Sequence, residues 1–325
     1  MDVYTKCSNY ATDTCPCVLA ERGQCVECSM CRGEDFCTCT DTVSFCIQQE
    51  LINHGGRAKP QRQSMRCEVT YVKEMDDVFR FIRIRVPDPE AFIHLGAYVF
   101  VRRDENPFFD VPISVLYEDY SSGTIGLFIQ MVGIKTECFR SIEKGDHIYV
   151  RGPYFSGMQG RGAVGHLRDG RAAVVCRGIG FMPSLHVIGA LWRNHNEVDV
   201  YLDWGKSGGE LLEFFKNLQE IHVTEVSLCD GKGELTEDFD RVVAKAEADG
   251  VGLIHLGLSD YLLKQAIGRI EETDPHHRKA ISCINNSHIC CGEGICGACT
   301  KDLGADHTVH LCKEQRDLYE YGRLL

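Results

Sequence analysis

No run of about eighteen apolar residues occurs in this chain, so no membrane span is expected. The N-terminus lacks the basic region and apolar core of an export signal, which points to a cytoplasmic protein. Positive charge is scarce: 35 Lys and Arg face 47 Asp and Glu, and the net charge of −12 argues against nucleic acid as a partner. Part of the excess is local, because residues 1–50 hold eight Asp or Glu against three Lys or Arg. Walker loops, nucleophile elbows and zinc-protease helices are all absent from the sequence, so those chemistries have no motif to rest on. His276-His277 lies in a charged stretch and Glu271-Glu272 ends a helical pattern; both read as solvated groups.

What is present is cysteine. The chain has 325 residues, too many for one ordinary core, and its 44% apolar and 25% charged content is that of a folded multidomain protein. Nineteen cysteines with no export signal do not read as a disulfide framework, because a reducing cytosol keeps thiols reduced. Nine lie in the first 46 residues, five are scattered from 67 to 283, and five fall at 290–312. Scattered cysteines such as Cys67, Cys138, Cys176 and Cys229 are expected to be small buried apolar side chains. The two dense groups read as metal sites.

The C-terminal group contains Cys291-Gly292-Glu293-Gly294-Ile295-Cys296-Gly297-Ala298-Cys299, and Cys312 follows after twelve intervening residues. Glycines let the backbone wrap tightly and turn N–H groups towards an anion. The C-x4-C-x2-C…C spacing is that of plant-type ferredoxins, whose four thiolates hold a [2Fe–2S] cluster. Zinc is the alternative, though zinc ligands usually come as two short pairs. Cys290 is expected to point away from its neighbour Cys291, because successive side chains of an extended backbone diverge.

In the N-terminal group, Cys25-x2-Cys28-x2-Cys31 is the closely spaced triplet that wraps one corner of a [4Fe–4S] cube. The candidate fourth ligands are Cys15, Cys17, Cys37 and Cys39, and Cys46 lies within the same set. Nine thiols suffice for two such cubes, and one or two structural zincs are the alternative. With few large apolar residues, the segment needs metal to fold. Asp41 is a plausible cap for a helix from Thr42 to Asn53, and residues 54–64 are polar and basic and read as a linker.

Short alternating runs follow at Val78–Val86, Ala97–Arg102, Ile113–Leu116, Thr124–Val132 and His147–Arg151, the pattern of an antiparallel β-barrel of about six strands. From Ala172–Cys176 the chain alternates strand and helix, with helices expected at about 182–194, Glu210–Asn217, Leu235–Ala248 and Asp260–Glu272. That is a parallel α/β sheet. The expected organisation is a cysteine-rich cluster module (1–60), a β-barrel (65–160), an α/β nucleotide-binding-type domain (170–275) and a cluster-binding segment (280–325).

This domain order and its motifs resemble the electron-transfer subunit of heterodimeric bacterial dihydroorotate dehydrogenase, in the ferredoxin–NADP reductase superfamily. The resemblance covers roughly residues 65–325, and the N-terminal module is an addition to it. Related small subunits serve bifurcating transhydrogenases, anaerobic sulfite reductase and sulfide dehydrogenase. The family seats FAD with an Arg-Pro-Ile-Ser strand, which here reads Val111-Pro112-Ile113-Ser114, so the ring-contacting serine is kept and the phosphate-binding arginine is lost. A basic strand residue followed by Gly-Thr corresponds to Phe128-Ile129-Gln130 and then Gly133-Ile134-Lys135-Thr136. Thr136 is kept, Gln130 is uncharged, and Lys135 could supply the missing charge, with Arg102 and Arg103 also near in sequence. The family's glycine-rich dinucleotide loop survives as Gly178-Ile179-Gly180-Phe181-Met182-Pro183 after Arg177. Its Cys-Gly-Pro turn beneath the nicotinamide is rewritten as Leu256-Gly257-Leu258, and of a further segment only Asp230-Gly231 remains.

The resemblance thus implies FAD and a [2Fe–2S] cluster, with NAD(P)H less well provided for. The expected role is an electron-transfer subunit of a larger flavin/iron–sulfur oxidoreductase of anaerobic metabolism. It would relay electrons between FAD, the [2Fe–2S] cluster and N-terminal [4Fe–4S] clusters to partner subunits or ferredoxin. A self-contained NAD(P)H:acceptor reductase and a flavin-less cluster-carrying adaptor are the alternatives.

Overall fold

The computed structural model describes residues 6–39, 45–75, 77–106, 108, 110–116, 122–205, 222–302 and 308–325. The expected helix Glu210–Asn217 and the cap at Asp41 lie outside them. A closed antiparallel barrel is formed by β1 (Ser64–Met75), β2 (Phe79–Arg85), β3 (Tyr98–Arg102), β4 (Val111–Leu116), β5 (Thr124–Gln130) and β6 (His147–Tyr154). Its strand order is β1-β2-β5-β4-β3-β6, and β6 pairs back on β1. Closure leaves no sheet edge exposed. Val69, Ile82, Ile84, Val99, Val101, Ile125, Leu127, Ile129, Ile148 and Val150 fill the interior. The alternation works because successive side chains face opposite sides: Ile129 points into the barrel, whereas Phe128 packs outward against the second domain.

That domain is a second sheet of β7 (Met158–Gln159), β8 (Arg171–Arg177), β9 (Glu197–Asp203), β10 (Val223–Glu225), β11 (Leu253–Gly257) and β12 (Ala280–Ile284). The order is β10-β9-β8-β11-β12-β7, parallel except for β7 at the edge. The central strand β8 is buried along Ala172–Cys176, as a strand covered by helices on both faces must be. Helices Phe181–Arg193, Glu237–Ala248 and Asp260–Thr273 supply the cover. Strand β12 extends this sheet past residue 275, beyond the expected domain end, and the closing helix Leu318–Leu324 packs on Asp260–Thr273, where a Cβ on Gly322 would lie 2.8 Å from Ile267.

In the N-terminal module, Cys7, Cys15, Cys25, Cys28 and Cys31 join Tyr10, Ala20 and Ile47 in one small core. Its helix runs Ile47–Asn53 with Cys46 as cap, so the described part starts later than the sequence suggests. The stretch expected to be a linker is anchored at its end: Arg62 is buried and its guanidinium donates to Asn9, Glu293 and the Pro153 carbonyl. The module therefore docks onto the C-terminal loop, where Ser8 N–H donates to the Lys313 carbonyl at 2.7 Å and Gln315 N–H to the Lys6 carbonyl at 2.6 Å. Among the scattered cysteines, Cys67 and Cys176 are buried as expected, but Cys138 is exposed and Cys229 half-buried. Cys138 ends a helix of only four residues, too short to cover its own last turn.

Candidate functional site

The C-terminal loop gathers its thiols by a backbone device. Strands β13 (Thr300–Asp302) and β14 (Thr308–His310) form a hairpin that returns the chain, so Cys312 N–H donates to Cys299 Sγ at 3.4 Å. The long spacing between those cysteines is thus one hairpin. Further N–H groups aim at sulfur: Glu293 donates to Cys291 Sγ at 3.3 Å and Gly294 to Cys312 Sγ at 3.2 Å. Gly292 and Gly294 hold φ of +72° and +74°, which L side chains rarely adopt. A Cβ on Gly292 would lie 2.6 Å from Tyr154, and one on Gly294 2.8 Å from Leu19.

The thiols also bond to one another. Cys312 hydrogen-bonds to Cys291 and Cys299, which holds Cys291 down at about 4 and Cys299 down at about 7, with backbone N–H groups adding to both. Cys312 itself is pushed well up by the same contacts and by burial. Burial raises Cys296, which is at the exposed rim and also contacts Cys291. Cys290 is exposed. Among the described residues no three His, Cys, Asp or Glu close on a single metal-ion position. The donor set, four cysteines backed by N–H groups, fits an iron–sulfur anion.

Next to this loop lies the barrel's β3–β4–β6 wall. Arg151 donates to the Cys291 carbonyl at 3.0 Å, and its guanidinium lies 4.4 Å from the Phe100 ring centroid. Val111, Pro112, Ile113 and Ser114 form most of β4 and pair with β3, Ser114 opposite Tyr98. Phe128, Ile129 and Gln130 end β5 opposite β2. Thr136 Oγ1 accepts from the Val132 and Gly133 N–H groups and donates to the Gly133 carbonyl, so it caps its own turn. The nearby cations differ. Arg102 and Arg151 pair with Asp110 at 2.8 and 2.9 Å, and Arg103 with Asp146 at 2.8 Å. Lys135 Nζ instead donates to the Asp110 carbonyl at 3.0 Å, a neutral acceptor. Of these cations, Lys135 is the one whose hydrogen bond among the described residues goes to a neutral acceptor and not to a carboxylate.

Ser114 reaches a small pocket between barrel and sheet, shared with Gly96, Pro183, His186 and His255. These histidines were not legible in the sequence as site residues, since each sits alone in an apolar run. His255 lies between Ser184 (3.0 Å) and Ser282 (2.9 Å), and burial pushes it down to about 3. His186 is held down at about 4 by burial, and its Nε2 has no hydrogen-bond partner. The two glycine turns meet here: a Cβ on Gly180 would lie 2.2 Å from the Gly257 carbonyl oxygen. Leu256 and Leu258 are buried in the sheet core. Arg177 pairs with Asp203 at 3.0 Å, and Asp230 closes an exposed turn by accepting from Lys232 and Glu234 N–H groups. His277 is exposed and stacks on Tyr319 at 3.7 Å.

No family model matches the chain. It is 30% identical over 183 residues to a probable dihydroorotate dehydrogenase B (NAD(+)), electron transfer subunit, of Methanopyrus kandleri, covering 55% of this chain and 64% of that protein. The corresponding subunit of Enterococcus faecalis is 26% identical over 250 residues, covering 75% of this chain and 85% of that one. Among solved structures, an NADH-dependent reduced ferredoxin-NADP oxidoreductase studied for flavin-based electron bifurcation aligns with a TM-score of 0.58 at 18% identity, covering 77% of this chain and 86% of that one. A cytochrome P450 reductase from Amycolatopsis aligns at 0.50 and 16% identity, covering 71% and 72%. Both likenesses establish the fold, a barrel followed by an α/β domain.

Proposed function

We propose that this chain, a relative of the electron-transfer subunits of dihydroorotate dehydrogenase B, is the electron-transfer subunit of a multi-subunit flavin/iron–sulfur oxidoreductase. The observation that carries this reading is the C-terminal thiol nest, where Cys291, Cys299 and Cys312 are bonded together and backed by N–H donors. Cys291, Cys296, Cys299 and Cys312 would hold a [2Fe–2S] cluster, the β4 segment Val111–Ser114 with Phe128–Gln130, Lys135 and Thr136 would seat FAD, and the N-terminal cysteines would hold [4Fe–4S] clusters. Iron–sulfur clusters supply one-electron exchange and FAD couples it to two-electron chemistry. The chain's own groups prepare that role. N–H donors stabilise thiolate charge, Arg151 ties the cluster loop to the barrel wall, and Lys135 offers charge for a diphosphate.

The buried Leu256 and Leu258 favour nicotinamide oxidation on a partner subunit over oxidation on this chain. The flavin-less adaptor keeps one supporting observation: Arg102 and Arg151 are already paired with Asp110. Anaerobically purified protein tests the reading. Acid-released flavin near one per chain, with a [2Fe–2S] spectrum, is expected; clusters without flavin would select the adaptor, and rapid saturable bleaching by NADH or NADPH alone would select the reductase.

A further inference from the structure

Only some of the N-terminal cysteines line a common pocket. Cys7, Cys15, Cys17 and Cys25 line one enclosed pocket walled by Tyr10, Leu19, Ala20 and Ile47. Within the Cys25/Cys28/Cys31 triplet only Cys25 lines this pocket, its Sγ accepting the Cys28 N–H at 3.4 Å; Cys28 and Cys31 hydrogen-bond to each other, and Cys31 interacts with Cys46 as well as with Cys25. Cys37 and Cys39 bond to each other in that second group, which also includes Cys28 and Cys46.

A second, independent observation is charge. Glu293 is shared by Lys313 at 2.9 Å and Arg62 at 3.2 Å, and their side chains are 11%, 0% and 5% exposed. Glu293 thus faces two buried cations, while the Glu27 carboxylate on the pocket wall is engaged by the Lys6 and Cys7 N–H groups. A buried cation in excess is costly in a protein interior without an anion nearby. Lys313 acts electrostatically on Cys17 and Cys7 as well as on Glu293, and it follows Cys312 directly in sequence. Arg161, half-buried, donates to the Ser8 carbonyl next to Cys7. The excess cation therefore sits between the pocket and the C-terminal loop.

We propose that Cys7, Cys15, Cys17 and Cys25 form one complete four-thiolate site for a [4Fe–4S] cluster, with Lys313 as a buried cation shared between it and the Cys291 loop. This deepens the iron–sulfur reading of the module and rests on it. Cys7 is the ligand its wide sequence spacing concealed. Lys313 is a positioning residue, whose charge favours the more reduced, more negative state of whatever anion faces it.

The test uses full-length chain reconstituted anaerobically, with iron, zinc and sulfide counted and EPR spectra recorded, the Cys291-loop signal serving as an internal control. Cys7→Ser, Cys15→Ser, Cys17→Ser and Cys25→Ser should each remove the same signal and about four irons, whereas Cys28→Ser and Cys31→Ser should leave that signal in place. Lys313→Gln should move the midpoint potentials of this signal and of the loop signal to more negative values, and Lys313→Arg should largely restore them. Full iron and an unchanged spectrum in Cys7→Ser, or loss of one common signal in Cys25→Ser, Cys28→Ser and Cys31→Ser with Cys7→Ser intact, would overturn the assignment. One zinc in place of iron, lost with Cys7→Ser, would also overturn it and leave the Cys291-loop reading standing. Absence of the loop signal from the parent protein would instead count against the proposed electron-transfer function.

Discussion

Cys290 and Cys291 are neighbours with opposite surroundings. Cys290 is exposed, whereas Cys291 Sγ accepts the Glu293 N–H and contacts Cys312. Reduced Cys291→Ser should therefore lose the [2Fe–2S] EPR signal and Cys290→Ser should keep it; the opposite result would shift the ligand set by one residue. Lys135 is distinguished in a similar way, by a neutral partner where Arg102, Arg103 and Arg151 have carboxylates. A charge-assisted bond contributes about 1.5–3 kcal/mol, so Lys135→Ala should weaken FAD by about ten- to a hundredfold, measured as acid-released flavin after dialysis. Arg177→Ala, which breaks a pair with Asp203, should change that flavin content little. His255 gives a pH dependence of known sign. Its folded value is depressed to about 3 by burial, below the unfolded value of about 6.5. The unfolded chain then binds the proton first, so stability is full above about 6.5 and falls as the pH drops towards 3. At pH 5 the loss is about 2 kcal/mol, and urea titrations at pH 7 and 5 should show it reduced in His255→Asn.

At the level of elements, a single close approach joins the two glycine turns. A Cβ on Gly180 would meet the Gly257 backbone oxygen at 2.2 Å, and backbone cannot rotate aside as a side chain can. Gly180→Ala should cost about 1–3 kcal/mol by forced displacement, read as a lowered melting temperature with cluster content retained. The barrel was largely legible because its strands alternate: the expected runs at Val78–Val86 and Thr124–Val132 became β2 and β5 within two residues. The longest strand, β1, was not picked out, because Ser64–Met75 intersperses Arg66, Glu68, Lys73 and Glu74 among its apolar residues and no continuous apolar signal survives. Strand β12 was missed since Ala280–Ile284 adjoins the cysteine loop, whose glycines dominate that stretch. Of the site, the gathering of three cysteines, Cys291, Cys299 and Cys312, was legible from their spacing. The grouping of the N-terminal ones was not, because Cys7 reaches its pocket through an isolated bridge with Glu314, a contact across the whole chain.

For the whole molecule, the sequence suggests modules on a string, and the contacts make the two cysteine-rich ends one body. Cys7 bridges Glu314, Leu19 covers Gly294, Arg62 joins Asn9 to Glu293, and Lys313 faces both ends from a fully buried position. Deleting residues 1–60 removes Leu19 and Asn9 and opens Lys313 to water, yet it leaves every strand of the barrel and the larger sheet in place. The truncated protein should therefore keep its circular dichroism, its flavin and about two irons per chain, the content of one [2Fe–2S] cluster. It should also bleach faster in air than the full chain, because water and oxygen reach the exposed loop. Iron content equal to that of the full chain would mean that the N-terminal module carries no cluster. Equal bleaching rates with only two irons left would mean that the docked module does not shield the loop, and that its contacts serve only to hold the two ends together.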